Sequence, residues 1–234
     1  MMNNKAKPVE FKLNDYLNKG LELLKKDFGN FIVAYILCMV MSIIPFCGLL
    51  AMGNFYKYCR KVNKGEQVSA GEIFNFDDFL PYFIVQLIII GGVFALYIPM
   101  FIFIPFTSVS VVDGDAVPPA FGLFTVLYIF LIVIAVFIVA LLGFYIPGLI
   151  SLKKVNDIKT AWIMSRIMTR NNLLTIFLFA IIVGFLSQIG ILLCGIGILI
   201  TMPYFYTTHY FAFEDAIQQI EYDEIKEIGT KNEF

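Results

Sequence analysis

The chain has 234 residues, of which 59% are hydrophobic and only 15% charged, with 17 Lys and Arg against 18 Asp and Glu. Water-soluble domains carry roughly 45–50% apolar and about 25% charged residues, so this composition excludes an ordinary soluble globule. The near-neutral balance gives no reason to expect a nucleic-acid partner, and the stretches left between the apolar runs are too short for a second, soluble domain.

Residues 1–29 form a polar or amphipathic N-terminus. Leu13, Leu17, Leu21, Leu24 and Phe28 fall on one helical face while Lys12, Asp15, Lys19, Lys25 and Lys26 fall elsewhere, the pattern of a helix lying in the membrane interface. No small-x-small exit follows the first apolar run, so a cleavable signal peptide is not expected.

Four runs without Lys, Arg, Asp or Glu come next: 31–53, 80–106, 119–152 and 173–202. Each reaches the roughly 20 residues that cross a ~30 Å hydrocarbon layer. The 17 Lys and Arg cluster in the intervening polar segments: Lys5 to Lys26, Lys57 to Lys64, Lys153 to Arg170, and Lys226 with Lys231. The positive-inside rule assigns all four groups to the cytoplasm, which requires an even number of crossings between them.

Run 31–53 must therefore be a hairpin, turning at Pro45-Phe46-Cys47-Gly48, where Pro blocks the helix and Gly permits reversal. Its arms are short for full spans, which predicts a thin or partly re-entrant hairpin. The pair 80–106 and 119–152 turns outside through Thr107–Pro118, where Asp113 and Asp115 are too few for calcium, and the long returning arm is expected to tilt, protrude or kink at Pro147. A second amphipathic stretch places Ile158, Ala161, Trp162 and Ser165 on one face. The last run hides a turn at Gly190 to Gly197, and Glu214–Phe234, with seven acids, is expected to be a frayed, solvated cytoplasmic tail.

The sequence thus predicts an all-α integral membrane protein: about six membrane helices (31–45, 47–63, 80–106, 119–152, 173–190, 196–213) within a single membrane domain at 30–213, plus two interfacial amphipathic helices. Interfacial helix, Asn, apolar run, Cys-Gly turn and aromatic return arm occur on both sides of the central pair. That is either a parallel repeat or the general likeness of any two membrane hairpins.

Chemistry is sparse. The one His, His209, sits among tyrosines, where a structural role outweighs proton transfer. At membrane depth the sequence offers Gln86, Gln188, Ser42, Ser187 and Tyr206 in place of an ionisable group, which argues against ion-coupled transport. Cys38, Cys47, Cys59 and Cys194 lack zinc spacing; Cys47 and Cys194 lie in two outward turns, yet buried thiols are expected rather than a disulfide. No cofactor or metal is implied.

The stretch Ala161-Trp-Ile-Met-Ser165-Arg-Ile-Met-Thr169-Arg-Asn171-Asn172, a long apolar segment, Leu193-Cys-Gly-Ile-Gly-Ile-Leu-Ile-Thr-Met-Pro203 and an aromatic arm ending at Phe213-Glu-Asp resemble a family of uncharacterised bacterial membrane proteins. That family is similar in turn to the membrane domain attached to some glycerophosphodiester phosphodiesterases. Ile146-Pro147-Gly148 and Ser69-Ala-Gly-Glu-Ile-Phe74 extend the likeness over most of 12–216, although the polar gap between Pro147 and Ala161 is short. The resemblance implies a fold and no activity.

Two functions follow as expectations. The first is a non-enzymatic scaffold, regulatory or assembly subunit of the bacterial cytoplasmic (inner) membrane, with both termini cytoplasmic and membrane lipids and other membrane proteins as partners. The second is a small uncoupled transporter or lipid-handling protein. A membrane-depth cavity lined by Gln86, Gln188, Ser42 or Tyr206 would favour the second, a packed interior the first.

Overall fold

A computed structural model describes residues 7–112, 119–192 and 197–231. Among them the fold is all-α: α1 (Leu13–Lys26), α2 (Phe28–Ile43), α3 (Gly48–Asn63), a 3-10 turn (Ala70–Phe74), α4 (Phe79–Val112), α5 (Pro119–Leu142), α6 (Ile146–Ser151), α7 (Ile158–Thr169), α8 (Leu173–Leu192) and α9 (Ile198–Lys231). Three stretches, Phe79–Phe101, Gly122–Ser151 and Leu173–Gly190, are long and apolar enough to cross a membrane. A fourth joins them if α1 and α2, bent by 99°, count as one span. By helix length and hydropathy this is a membrane protein.

The chain divides into two compact units, one of the residues up to Ile84 together with those from Leu141 onward, the other of Val85–Ala140. In the second unit Tyr128 donates a hydrogen bond to the Leu96 carbonyl at 2.6 Å, tying α5 to α4. Leu87, Ile88, Phe94, Phe130, Leu131 and Val133 on these helices stand exposed, as side chains that face lipid do.

In the first unit the order α1, α2, α3 is echoed by α7, α8, α9. α2 and α3 are 16 residues each, about 24 Å at ~1.5 Å per residue and short of a ~30 Å core. The reversal between them corrects the sequence reading: Phe46 takes the left-handed conformation (φ 65°), and Gly48 simply begins α3. Phe46 is held there by an edge contact with Phe83, ring centres 5.2 Å apart.

α1 departs from its predicted register. Tyr16, Gly20, Leu23 and Leu24 face the protein, whereas Leu21 and Phe28 are exposed beside the lysine face. Gly20 makes this possible, because a Cβ there would lie 2.5 Å from Thr208 Cγ2 on α9. α7 likewise buries Met164, Ser165, Met168 and Thr169 with Ala161, and Trp162 only partly.

The long arm expected at 119–152 breaks one step earlier than Pro147. α5 ends at Leu142, and Pro147 is the second residue of α6, where its lost N–H costs nothing. Ser165 of α7 fastens the break: its hydroxyl donates to the Leu142 carbonyl at 2.7 Å and accepts from the Tyr145 amide at 3.2 Å.

The expected frayed tail is instead a continuation of α9 to Lys231. Ala216, Ile217 and Ile220 are buried, and Gln219 pairs with the N-terminal segment through both edges of its amide, accepting from Glu10 N at 2.8 Å and donating to Glu10 O at 2.9 Å. Phe11 anchors that segment against Tyr16, Phe144 and Phe179. α4 also runs on through 107–112, past its predicted end. Asp113, Asp115 and Cys194 lie outside the described residues, so the outer loop and the Cys47–Cys194 question do too; Cys38, Cys47 and Cys59 are buried thiols.

Candidate functional site at the polar end

The polar residues of the first unit converge where α3 ends, α4 begins, α6 meets its following loop and α9 leaves the apolar zone. Asp78, just before α4, is almost wholly buried. Lys57 Nζ of α3 lies 2.7 Å from its Oδ2, and Lys154 Nζ reaches both carboxylate oxygens at 3.0 and 2.9 Å. Lys154 accepts a left-handed backbone (φ 60°) to make that contact.

Beside it, Arg60 uses its whole fork. Nε and Nη2 donate to Glu214 Oε2 at 2.9 and 2.5 Å, and Nη1 donates to the Leu152 carbonyl at 2.7 Å, a freed acceptor at the end of α6. One guanidinium thereby ties α3, α6 and α9 together, geometry that a lysine lacks.

Two further polar contacts complete the end. Asn54 donates to the carbonyls of Ile73 and Asn75 at 2.8 and 2.6 Å, holding the 3-10 turn on α3. Tyr82 donates to the Pro147 carbonyl at 3.0 Å and shares a 2.6 Å hydrogen bond with Ser151, a close approach that Gly53 permits.

On α1, Tyr16 donates to Asp215 Oδ2 at 2.7 Å, and burial foremost drives its hydroxyl far above the ordinary tyrosine range. Lys12 reaches the other oxygen of Asp215 at 3.4 Å. Between α1 and α9 lies a polar cavity of about 330 Å³, lined by Lys19, Glu22, Lys26, Asn63, Phe211 and Gln218 together with Leu23, Glu214 and Asp215.

The residues singled out from sequence lie elsewhere and do not form one site. Tyr206 packs among aromatic rings of α2 and α3, with ring centres 4.8 Å from Phe55, 5.9 Å from Tyr56 and 6.1 Å from Tyr35. His209 is 8% exposed, and its Nδ1 donates to the Phe205 carbonyl one turn back at 2.8 Å. Phe205, Phe179 and Phe144 surround its ring at 4.1, 5.0 and 5.7 Å. Gln188 is exposed on α8, and Ser42 returns its hydroxyl to the Cys38 carbonyl at 2.7 Å. Gln86 belongs to the other unit, where its Oε1 is enclosed and without a hydrogen bond among the described residues.

Among the described residues no group of three His, Cys, Asp or Glu stands close enough to hold a metal ion. No protein-family profile, curated protein or solved structure matches the chain.

Asp78, Arg60 and Glu214 escaped the sequence reading because their charges were counted for topology alone. The available signal was placement: Asp77-Asp78 and Glu214-Asp215 abut the ends of apolar runs, within reach of cations fixed at the same level.

Proposed function

We propose that the chain is a non-enzymatic, multi-pass protein of the bacterial cytoplasmic membrane, with six crossings and both termini cytoplasmic, that scaffolds or assembles with other envelope proteins. The observation that carries this reading is the filled interior of the first unit. Tyr206 closes against Tyr35, Phe55 and Tyr56, and His209 against Phe144, Phe179 and Phe205, where a solute path lined by these residues would have to run. Aromatic pairs of this kind add about 0.5–1.5 kcal/mol each beyond their burial, a cost that an opening path would have to meet.

Supporting features point outward. Val85–Ala140 presents apolar side chains on most of its surface, and Gly91 and Gly92 of α4 have open space where a Cβ would stand, the small-residue face on which membrane helices approach one another. The 99° bend between α1 and α2 sets α1 along the membrane plane when α2 runs across it. The likeness to phosphodiesterase-linked membrane domains belongs to the same proposal and concerns fold only.

Native mass spectrometry of the protein extracted from its own membranes, paired with a scrambling assay in reconstituted vesicles, tests this. A stoichiometric protein partner and no acceleration of lipid scrambling over protein-free vesicles are expected. A protein that comes alone and accelerates scrambling belongs to the transport class instead.

A further inference from the structure

We propose that the cavity between α1 and α9 seats a zwitterionic headgroup, a phosphate ester bearing a primary amine of the phosphoethanolamine kind, supplied by the adjoining lipid. The inference rests on the reading that α1 lies at the membrane surface.

Size comes first. At about 330 Å³ the cavity is roughly ten times the ~30 Å³ share of one water, too large for a lone ion and within the range of small-ligand sites.

Charge comes second. Lys19, Glu22 and Lys26 are spaced i, i+3, i+7 and form one stripe on α1, the two ammonium stems about 10 Å apart along the axis with the carboxylate between them. On the facing wall the acids are already engaged, Glu214 by Arg60 and Asp215 by Tyr16 and Lys12. Lys19 has only a 3.9 Å contact with Asp15. Glu22 and Lys26 have no hydrogen-bond or ion-pair partner among the described residues.

The least engaged groups are therefore two cations around one carboxylate, in a cavity whose lining also carries the already paired Glu214 and Asp215. A purely anionic ligand would meet Glu22 and the carboxylates behind it. A phosphate bridging Lys19 and Lys26, with its own ammonium donating to Glu22, satisfies both signs, and Asn63 and Gln218 supply amides at the rim.

Position comes third. Leu21 of α1 and Phe28 at the start of α2, 43% and 41% exposed, give this corner of the protein an apolar surface of the kind that meets acyl chains.

Calorimetric titration of the full-length protein in maltoside micelles separates the outcomes, using dihexanoyl phosphatidylethanolamine, dihexanoyl phosphatidylglycerol and phosphoethanolamine as probes. Saturable binding of the ethanolamine lipid is expected. The pair Lys19→Ala with Lys26→Ala should weaken it about tenfold or more, the scale of one charge-assisted hydrogen bond, with an unchanged melting temperature. Glu22→Gln should erase the preference over the glycerol lipid. Binding unaffected by these variants, or no saturable binding, overturns the site; phosphoethanolamine binding as tightly as the lipid overturns the lipid source. Resistance of the wild-type protein to alkaline extraction from membranes, measured alongside, keeps failure of the site distinct from failure of the membrane reading.

Discussion

Replacing Asp78 by Ala removes the shared acceptor of two lysines and should be the most damaging single change at the polar end. The Asp78 side chain is 5% exposed, that of Lys57 21% and that of Lys154 54%. Stranding a fully buried partner costs about 3–5 kcal/mol, whereas an exposed pair is worth at most about 1 kcal/mol. Lys154 can turn to water and Lys57 only partly, which places the loss at about 2–4 kcal/mol. At ~2–4 °C per kcal/mol for a chain of this size, the melting temperature in detergent should fall by about 4–16 °C. The buried thiols of Cys38, Cys47 and Cys59 report it directly, because a thiol-reactive fluorophore reaches them only on unfolding. If the stranded Lys57 cation is the cause, adding Lys57→Met to Asp78→Ala recovers part of the loss. A double variant whose cost equals the sum of the two single costs would refute that cause.

Other consequences are sharper in sign than in size. Arg60→Lys keeps the charge but forfeits the fork that joins Glu214 to the Leu152 carbonyl, and should cost about 1–3 kcal/mol in the same thiol assay. Gly20→Ala drives a Cβ to 2.5 Å from Thr208 Cγ2 and Gly148→Ala to 2.6 Å from Phe213 Cβ, so each should destabilise by about 1–3 kcal/mol. Gly29→Ala, with nothing within 4 Å, should be neutral or slightly stabilising. Asp157 caps α7, and hydrogen bonds from the Thr160 hydroxyl and amide hold its carboxyl below the ordinary range. The cap's contribution is complete above the unfolded value of about 3.9 and fades as pH falls through the lower folded value. Amide protection in the first turn of α7, exchange measured relative to the intrinsic rate at each pH, should therefore fall below pH ~4 in the wild type, and Asp157→Asn should flatten that dependence.

The long apolar stretches Phe79–Phe101, Gly122–Ser151 and Leu173–Gly190 were legible because apolar length and the exclusion of charge are local properties, and a reversal at Pro45-Phe46-Cys47-Gly48 was expected from the even-crossing requirement together with its proline and glycine. What sequence missed came from contacts across long separations. Phe46 rather than Gly48 reverses the chain because Phe83 holds it, and the α5–α6 break precedes Pro147 because Ser165, 20 residues beyond Tyr145, absorbs the freed backbone groups. The leucine stripe of α1 was read as a lipid face, yet Gly20 and Tyr16 turn the helix so that α9 takes a neighbouring stripe. The tail's acids looked solvated until Glu214 met Arg60 and Asp215 met Tyr16. Of the polar candidates named from sequence, Tyr206 and His209 pack in the aromatic interior, while the polar end was written in residues counted only for their charge.

Limited trypsin digestion from each face of the membrane tests the threading most directly, since every Lys and Arg falls in the segments assigned to one side. Right-side-out spheroplasts should leave the chain whole, and inverted vesicles should yield cuts at the exposed Lys64 and Lys154. Cleavage at either lysine from outside would contradict the six-crossing arrangement.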